Sequence, residues 1–130
     1  MILSEPVALD RRRKRSNDPL VALHYQLAQT RKDGRFDAVV VADDAGVVVA
    51  GAGAWATCEE LAAYAPLIAQ GGLPEAALRG SRVAEMGSMM EVVAVEVGGQ
   101  TVLLCARGVR GPKAMQNAAQ GVARILAKAA

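Results

Sequence analysis

Few side chains in this sequence could carry out chemistry, and the partners that catalysis needs are missing from the pattern around them. His24 is the only histidine, and a histidine acting as a general base needs a positioned nucleophile and an orienting group. We therefore expect a packing or surface role for it. Cys58 lies near a predicted helix start, where the dipole favours a thiolate, but Glu59 and Glu60 oppose that effect. We expect Cys58 to be inert and Cys105, in an apolar strand, to be a core residue.

Three short segments could bind a ligand, and in each the plainer interpretation is favoured. Asp43-Asp44 could hold a metal, but two carboxylates at a predicted hairpin are more often turn residues. The 51–53 segment Gly-Ala-Gly precedes a helix as a dinucleotide-binding loop would, but Ala56 stands where the third glycine would be. Residues 108–112 could bind an anion before the last helix, and a plain loop is again favoured. We predict no metal, no cofactor and no enzymatic activity.

The composition of the chain excludes several classes of protein. The chain has 130 residues, 52% of them hydrophobic, which is enough for one domain with a real core. Aromatic residues make up only 3%, too few for a base-stacking platform. Residues 18–130 carry a net charge of −1, so the body of the protein is not an electrostatic binder of nucleic acid. Neither a membrane-spanning apolar run nor a signal-peptide pattern is present, and we expect a cytoplasmic protein.

Residues 1–17 form a segment of their own. They carry a net charge of +3 and show no hydrophobic period, so we predict a disordered basic tail followed by a folded domain over 18–130. The tail could contact anionic lipid, nucleic acid or an acidic protein surface, or it could simply be solvated, since one basic cluster without an apolar anchor binds weakly. Its five cations are Arg11, Arg12, Arg13, Lys14 and Arg15.

The first three elements of the domain follow from local signals. Asp18-Pro19 predicts a helix start, with a capping carboxylate followed by proline at the first helical position, and Gly34 ends the helix. Residues 36–42 are nearly continuous in apolar character, which predicts a central strand covered on both faces. A tight turn at 43–46 then returns the chain antiparallel as a strand at 47–50.

A second helix is predicted from a capping box, Thr57 with Glu60 three residues later. Pro66 should kink this helix after its second turn. Its sheet-facing stripe is predicted to be Leu61, Tyr64, Ala65 and Ile68.

Three strands and a helix complete the predicted order α-β-β-α-β-β-β-α. The strands are predicted at 82–89, 91–97 and 101–107, with a hairpin at Gly98-Gly99 and the last, most apolar strand placed centrally. Gly111-Pro112 opens the final helix, whose apolar stripe is Met115, Ala118, Ala119, Val122, Leu126 and Ala129.

This order resembles the Roadblock/dynein light chain family. The resemblance rests on residues 38–43, Ala-Val-Val-Val-Ala-Asp, running through Gly46 into Val47–Ala50, and on the helix sequence Glu-Glu-Leu-Ala-Ala-Tyr-Ala at 59–65. It covers residues 18–130 and implies an α/β (α+β) fold, a Roadblock/profilin-like three-layer sandwich. The implied sheet has five antiparallel strands, with the first and third helices on one face and the second helix on the other.

The resemblance also implies a non-catalytic homodimer, with third strands paired edge to edge and second helices packed together. Such dimers act as platforms or regulators for small Ras-like GTPases, in bacteria typically in cell polarity and gliding motility. A partner strand is one way to cover an apolar edge, and methionine adapts well to such a contact. The edge predicted here comprises Val83, Met86, Met89 and Met90.

The second helix is the candidate protein-binding surface. An exposed Leu67 beside Tyr64 and two acids would form a small amphipathic patch, although the same residues could instead meet their dimer mates. An alternative function is a structural adaptor that joins other Roadblock or polarity proteins without contacting a GTPase. A small-molecule sensor is disfavoured by the polar-poor core. The residues of this candidate surface are Glu59, Glu60, Ala63, Tyr64 and Leu67.

Overall fold

Three helices and four strands account for the part of the chain that the structure, a computed structural model, describes: residues 18–70, 89–108 and 111–129. The predicted tail and all but the last residue of the strand predicted at 82–89 lie outside these ranges. In chain order the elements are α1 (Pro19–Gly34), β1 (Phe36–Asp43), β2 (Val48–Ala52), α2 (Trp55–Ala69), β3 (Met90–Val97), β4 (Gln100–Gly108) and α3 (Pro112–Ala129).

The four strands form one antiparallel sheet in the order β2-β1-β4-β3. Val40 of β1 is paired with Gly51 of β2 on one side and with Cys105 of β4 on the other. The two inner strands are therefore β1 and β4, which confirms the prediction that the two most apolar strands are central. The predicted fifth strand is not among the described strands, and its last residue, Met89, lies in a turn before β3.

Strand β1 is buried on both faces, as its continuous apolar sequence predicts. Val39 and Val41 belong to the core cluster on one side of the sheet, and Val40 belongs to the cluster on the other side. All three side chains are fully buried. Because a strand alternates its side chains between the two faces, only an unbroken apolar run can supply both cores. Burying one such valine contributes about 1.5–3 kcal/mol.

Helices α1 and α3 cover one face of the sheet and α2 covers the other. Leu23 and Leu27 of α1 share a core cluster with Met115 and Val122 of α3. The predicted apolar stripe of the last helix therefore faces the core, except for its last member, Ala129, which is exposed. The second cluster joins the sheet to α2 through Leu61 and three neighbours on the same helix face: Cys58, Ala62 and Ala65.

The ends of α1 follow the predicted signals. Asp18 Oδ1 accepts a hydrogen bond from the Leu20 N–H at 3.0 Å, which confirms the capping carboxylate. Gly34 is the last helical residue, and Arg35 takes the left-handed conformation that ends the helix, with φ of 55°. A side chain at position 34 would collide with the ring of Phe36, so glycine is needed there for packing.

The predicted start of α2 is wrong. The helix begins at Trp55, with Ala54 as the capping residue and no side-chain hydrogen bond at the cap. Thr57 and Glu60 therefore lie inside the helix and do not form a capping box. The reason is a tertiary contact at Gly53, which has φ of 111° and whose Cβ would lie 2.7 Å from the Asp37 carbonyl oxygen. The chain can turn from strand to helix at this glycine, so the helix starts immediately after it.

Pro66 lies within α2, and the helix continues past it to Ala69. Proline lacks the N–H that would bond the Ala62 carbonyl four residues earlier. The hairpin residue Gly46 lies against this carbonyl, since a Cβ at Gly46 would be 3.2 Å from the Ala62 oxygen. The β1–β2 turn thus covers the Ala62 carbonyl, which Pro66 leaves without its usual helical hydrogen bond.

Candidate protein-binding surface

The β1–β2 turn is organised by the side chain of Asp43. Its Oδ1 accepts hydrogen bonds from the backbone N–H groups of Ala45 and Val47, each at 2.9 Å. Gly46 supplies the positive φ of the turn, 86°. This geometry confirms the interpretation of Asp43 as a turn residue. Across the described ranges, no group of three or more His, Cys, Asp or Glu side chains is placed to hold a metal ion.

The inner face of α2 is fixed tightly to the sheet. Gly51 of β2 allows this approach, because a Cβ there would lie 3.0 Å from Cys58 Sγ. Burial raises the pKa of the Cys58 thiol, and burial raises the pKa of the Cys105 thiol from 9.0 to about 12. Neither group is a ready thiolate at neutral pH. Both cysteines are buried, which confirms the prediction of Cys105 as a core residue and agrees with the expected packing role of Cys58.

The outer face of α2 carries three exposed residues one turn apart: Trp55, Glu59 and Ala63. Trp55 is 57% exposed. Beside this row, Glu60, Tyr64 and Leu67 are half-buried. We call these six residues the α2 surface.

The α2 surface differs in one respect from the predicted patch. Leu67 was expected to be its exposed apolar residue, but it is half-buried, and the exposed apolar residue is Trp55. Tyr64 Oη lies 3.5 Å from Glu60 Oε2, a long hydrogen bond in which the hydroxyl donates. Glu59 and Ala63 are exposed as expected.

Sequence reasoning missed Trp55 because the capping-box prediction placed the helix start two residues after it. A helix starting at 55 would have put residues 55, 59 and 63 on one face, since side chains four residues apart are neighbours on a helix. That spacing was the available signal.

The start of α2 lies near a cluster of charges at one end of the sheet. Arg31 Nε donates a hydrogen bond to the Asp37 carbonyl oxygen at 2.9 Å, and Arg107 Nε lies 3.7 Å from Asp37 Oδ2. Arg31 also exerts a Coulombic effect on Cys58 that opposes the burial effect on its pKa. Arginines and a carboxylate thus flank the end of the helix that carries Trp55.

His24 has a surface role. It is exposed on α1, and its Nδ1 lies 3.0 Å from the Gly51 carbonyl oxygen. A carbonyl oxygen only accepts, so Nδ1 must carry the proton in this contact. The histidine therefore ties α1 to strand β2, consistent with the expected packing or surface role.

The backbone N–H just before α3 is bonded to a side chain of the protein itself. The Glu91 carboxylate accepts a hydrogen bond from the Gly111 N–H at 2.7 Å, at the helix end where an external anion would otherwise be favoured. The Gly111 N–H is therefore already bonded within the protein, and residues 109–110 of the predicted loop lie outside the described residues.

Two of the four predicted dimer-edge residues are described. Met89 is 36% exposed in the turn before β3, and Met90 is the buried first residue of β3, in the core cluster on the α2 side. Val83, Met86 and the five basic residues of the tail lie outside the described residues.

A search for membrane-spanning segments over the described ranges identifies no helix with the length and apolar character to cross a bilayer.

The three helices and the four-stranded antiparallel sheet are consistent with a Roadblock-like fold. No protein-family model and no curated protein matches the sequence. Among solved structures the chain is similar to MglB of Myxococcus xanthus, with a TM-score of 0.55 and 18% sequence identity over 97% of this chain and 94% of that one. This likeness shows a shared fold, and at that level it confirms the Roadblock resemblance found in the sequence.

Proposed function

We propose that this chain is a non-catalytic, homodimeric Roadblock-type protein that binds and regulates a small Ras-like GTPase. The observation that carries the proposal is the fold likeness to Myxococcus xanthus MglB over 97% of the chain. Roadblock-type proteins of this kind regulate small GTPases. A cytoplasmic location and a role in bacterial cell polarity or motility are part of the proposal.

The exposed row of the α2 surface, which begins at Trp55, is the proposed contact for the GTPase. Trp55 offers a large apolar side chain with only two side-chain torsions to fix, and tryptophan is enriched among the residues that dominate binding energy. Its exposed 57% has no cover from the described chain. Glu59, one turn further along, adds a negative charge at the rim. The complementary patch on a partner would be apolar with a neighbouring Lys or Arg.

Dimerisation is proposed through the segment before β3 and through α2. Strand β3 is the outermost described strand on its side of the sheet, so the residues that precede it along the chain could extend the sheet towards a second copy. The half-buried Tyr64 and Leu67 would then meet their counterparts, and the exposed Trp55 end would remain open to the GTPase.

Regulation would operate through differential binding. A dimer can shift the nucleotide state of a GTPase only as far as it binds one state more tightly than the other. The proposal therefore requires a measurable difference in affinity between the GTP-bound and GDP-bound partner.

The test is binding of the purified protein to small Ras-like GTPases of its source organism, each loaded with GDP or a GTP analogue. Light scattering on the same samples gives the stoichiometry. Preference for one nucleotide state, with two copies of this chain per GTPase, is the expected result. Equal binding in both states would favour the structural adaptor, and no binding by a folded dimer would refute the GTPase proposal.

Two variants locate the contact. Trp55→Ala should weaken GTPase binding by roughly 10- to 100-fold, because burying the exposed part of a tryptophan is worth up to about 3 kcal/mol and part of that is offset on association. Tyr25→Ala is the matched control, since Tyr25 is also 57% exposed but lies on α1, on the other face of the sheet. If both variants bind alike, the α2 surface is not the contact.

A further inference from the structure

Two arginines converge on one residue at the end of the sheet where α2 begins. Asp37 is the extra residue of a bulge, since the pairing of β1 with β4 shifts between Phe36 and Ala38. The Asp37 carbonyl oxygen accepts a hydrogen bond from Arg31 Nε at 2.9 Å, and Asp37 Oδ2 lies 3.7 Å from Arg107 Nε. Both guanidinium groups are therefore held beside the same bulge.

This bulge lies against the loop that leads into α2. A Cβ at Gly53 would lie 2.7 Å from the Asp37 carbonyl oxygen and 3.0 Å from the Ala38 Cβ. Ala38 is paired in register with Arg107, and Trp55 follows two residues after Gly53. The two arginines thus border the exposed Trp55 end of the α2 surface.

The described chain does not fill the hydrogen-bonding capacity of either guanidinium. A guanidinium carries five N–H donors, and Arg31 uses one of them, on the Asp37 carbonyl. Arg107 Nε is buried without a hydrogen-bond partner, because 3.7 Å to Asp37 is too long for one. The Asp37 side chain is itself 68% exposed. This end of the sheet therefore presents positive charge that its own carboxylate neutralises only in part.

The charge of the surrounding protein limits which partner this end can bind. Across the described ranges, acidic residues outnumber basic ones, so most of the protein would repel an extended anionic surface such as duplex nucleic acid or a layer of lipid headgroups. A short acidic segment would meet only the arginines. The fork of N–H groups on a guanidinium also matches the two oxygens of a carboxylate.

We propose that Arg31 and Arg107 bind an acidic segment of a protein partner, while Trp55 packs against an apolar side chain beside that segment. Arginine and tryptophan are enriched among the residues that dominate binding energy at interfaces. Arg107 lies on the inner strand β4, and Arg31 is fixed by its hydrogen bond to the backbone. Both side chains are therefore ordered before a partner arrives, which lowers the entropic cost of binding.

The charges along this surface also set the direction in which a partner docks. The arginines lie at the start of α2, Trp55 follows, and the exposed Glu59 lies one turn further along. A matching partner carries an acidic residue, an apolar residue and a basic residue in the corresponding order, and the reversed orientation places like charges together. An acidic segment deepens the proposed function, since it describes the protein that docks on the α2 surface, and it rests on that proposal for the docking site alone.

Titration of the intact protein with a short synthetic oligoglutamate peptide tests the proposal. Trp55 is the only tryptophan of the chain, so its fluorescence reports on this end of α2 without a label. A saturable change in fluorescence is expected at low salt. It should diminish as salt is added, because exposed ion pairs are screened.

Two variants and a control locate the contact. Arg31→Gln and Arg107→Gln should each weaken peptide binding by roughly 5-fold. Arg124→Gln removes the same charge from an exposed position of α3, on the face of the sheet opposite α2, and should leave binding unchanged. Because Arg31 is exposed on α1, its variant decides the matter even if urea unfolding shows that Arg107→Gln is less stable.

Three results would overturn the proposal. The first is the absence of peptide binding to the unsubstituted protein. The second is equal binding by the unsubstituted protein and both arginine variants, which would place the peptide on the basic block of residues 11–15 that all variants retain. The third is tighter binding of a short DNA duplex that is lost in the same variants, which would show a nucleic-acid site instead. The peptide assay contains no GTPase, so its failure leaves the proposed regulation of a GTPase standing, and a GTPase that fails to bind leaves the peptide result standing.

Discussion

Asp43 provides the sharpest test of how the hairpin beside α2 is held. Its Oδ1 accepts two backbone hydrogen bonds of 2.9 Å, from Ala45 and Val47. Asp43→Ala removes both acceptors. A hydrogen bond to a charged group is worth about 1.5–3 kcal/mol, but here the freed N–H groups can bond to water, which offsets part of the loss. We therefore expect the free energy of unfolding to fall by about 2 kcal/mol in total.

The measurement is urea unfolding followed by far-UV circular dichroism, with an unchanged m-value as the sign that only stability has changed. The melting temperature should fall by roughly 6–10 °C for a domain of this size. Asp44→Ala is the control, because Asp44 is the exposed next residue of the same turn, and such surface changes stay within about 0.5 kcal/mol. Asp43→Asn keeps an acceptor oxygen and should fall between the two.

Equal stability of Asp43→Ala and Asp44→Ala would refute the reasoning. The turn would then depend only on its backbone bonds, from the Asp43 N–H to the Val47 oxygen at 3.0 Å and from the Gly46 N–H to the Asp43 oxygen at 3.1 Å. A larger loss in Asp43→Ala alone, with weaker packing of Gly46 against α2, would connect the turn directly to the candidate surface.

Three further predictions follow from individual contacts. Gly53→Ala should lower the free energy of unfolding in urea by at least about 2 kcal/mol, because the φ of Gly53 is 111° and a Cβ would meet the Asp37 carbonyl. Gly98→Ala is the control: Gly98 lies in a hairpin with open space around it, so this change should lower the free energy of unfolding by only about 1 kcal/mol. Burial raises the pKa of Cys105 from 9.0 to about 12 in the folded protein. As the pH rises, the thiol therefore loses its proton in the unfolded state before it does so in the folded state. Stability should therefore decline from pH 9 upwards, by about 1.4 kcal/mol at pH 10, and the decline should be smaller by that amount in Cys105→Ala; identical pH profiles would contradict this. Trp55→Ala should lower the free energy of unfolding by only about 1 kcal/mol, since the side chain is 57% exposed; a much larger loss in circular dichroism melts would mean that the tryptophan is structural.

The elements with strong local signals were predictable from the sequence. Asp18 and Pro19 mark the start of α1 because a capping carboxylate and a proline both suit the first turn of a helix. Residues 36–42 and 101–107 are nearly continuous apolar runs, and a central strand covered on both faces is where such short runs are buried. The resemblance to Roadblock proteins followed from the order of these elements, and the fold agrees with it.

The candidate surface was only partly predictable. The helix that carries it, and the exposure of Glu59 and Ala63, follow from helical periodicity. The roles of Trp55 and Leu67 do not, because both depend on where α2 begins and how it lies on the sheet. A capping box is a preference of about 1 kcal/mol, which a single tertiary contact can outweigh.

The sequence by itself therefore determined the order of the described elements, the two-sided core and the burial of Cys105, since each follows from local spacing or from an apolar run. Only the tertiary structure decided that α2 begins at Trp55 and that Gly46 covers the Ala62 carbonyl. The physical reason is that these features depend on the approach of backbone atoms far apart in the chain, at 2.7 Å and 3.2 Å from a would-be Cβ in the two glycine contacts. No local pattern of residue types records such distances.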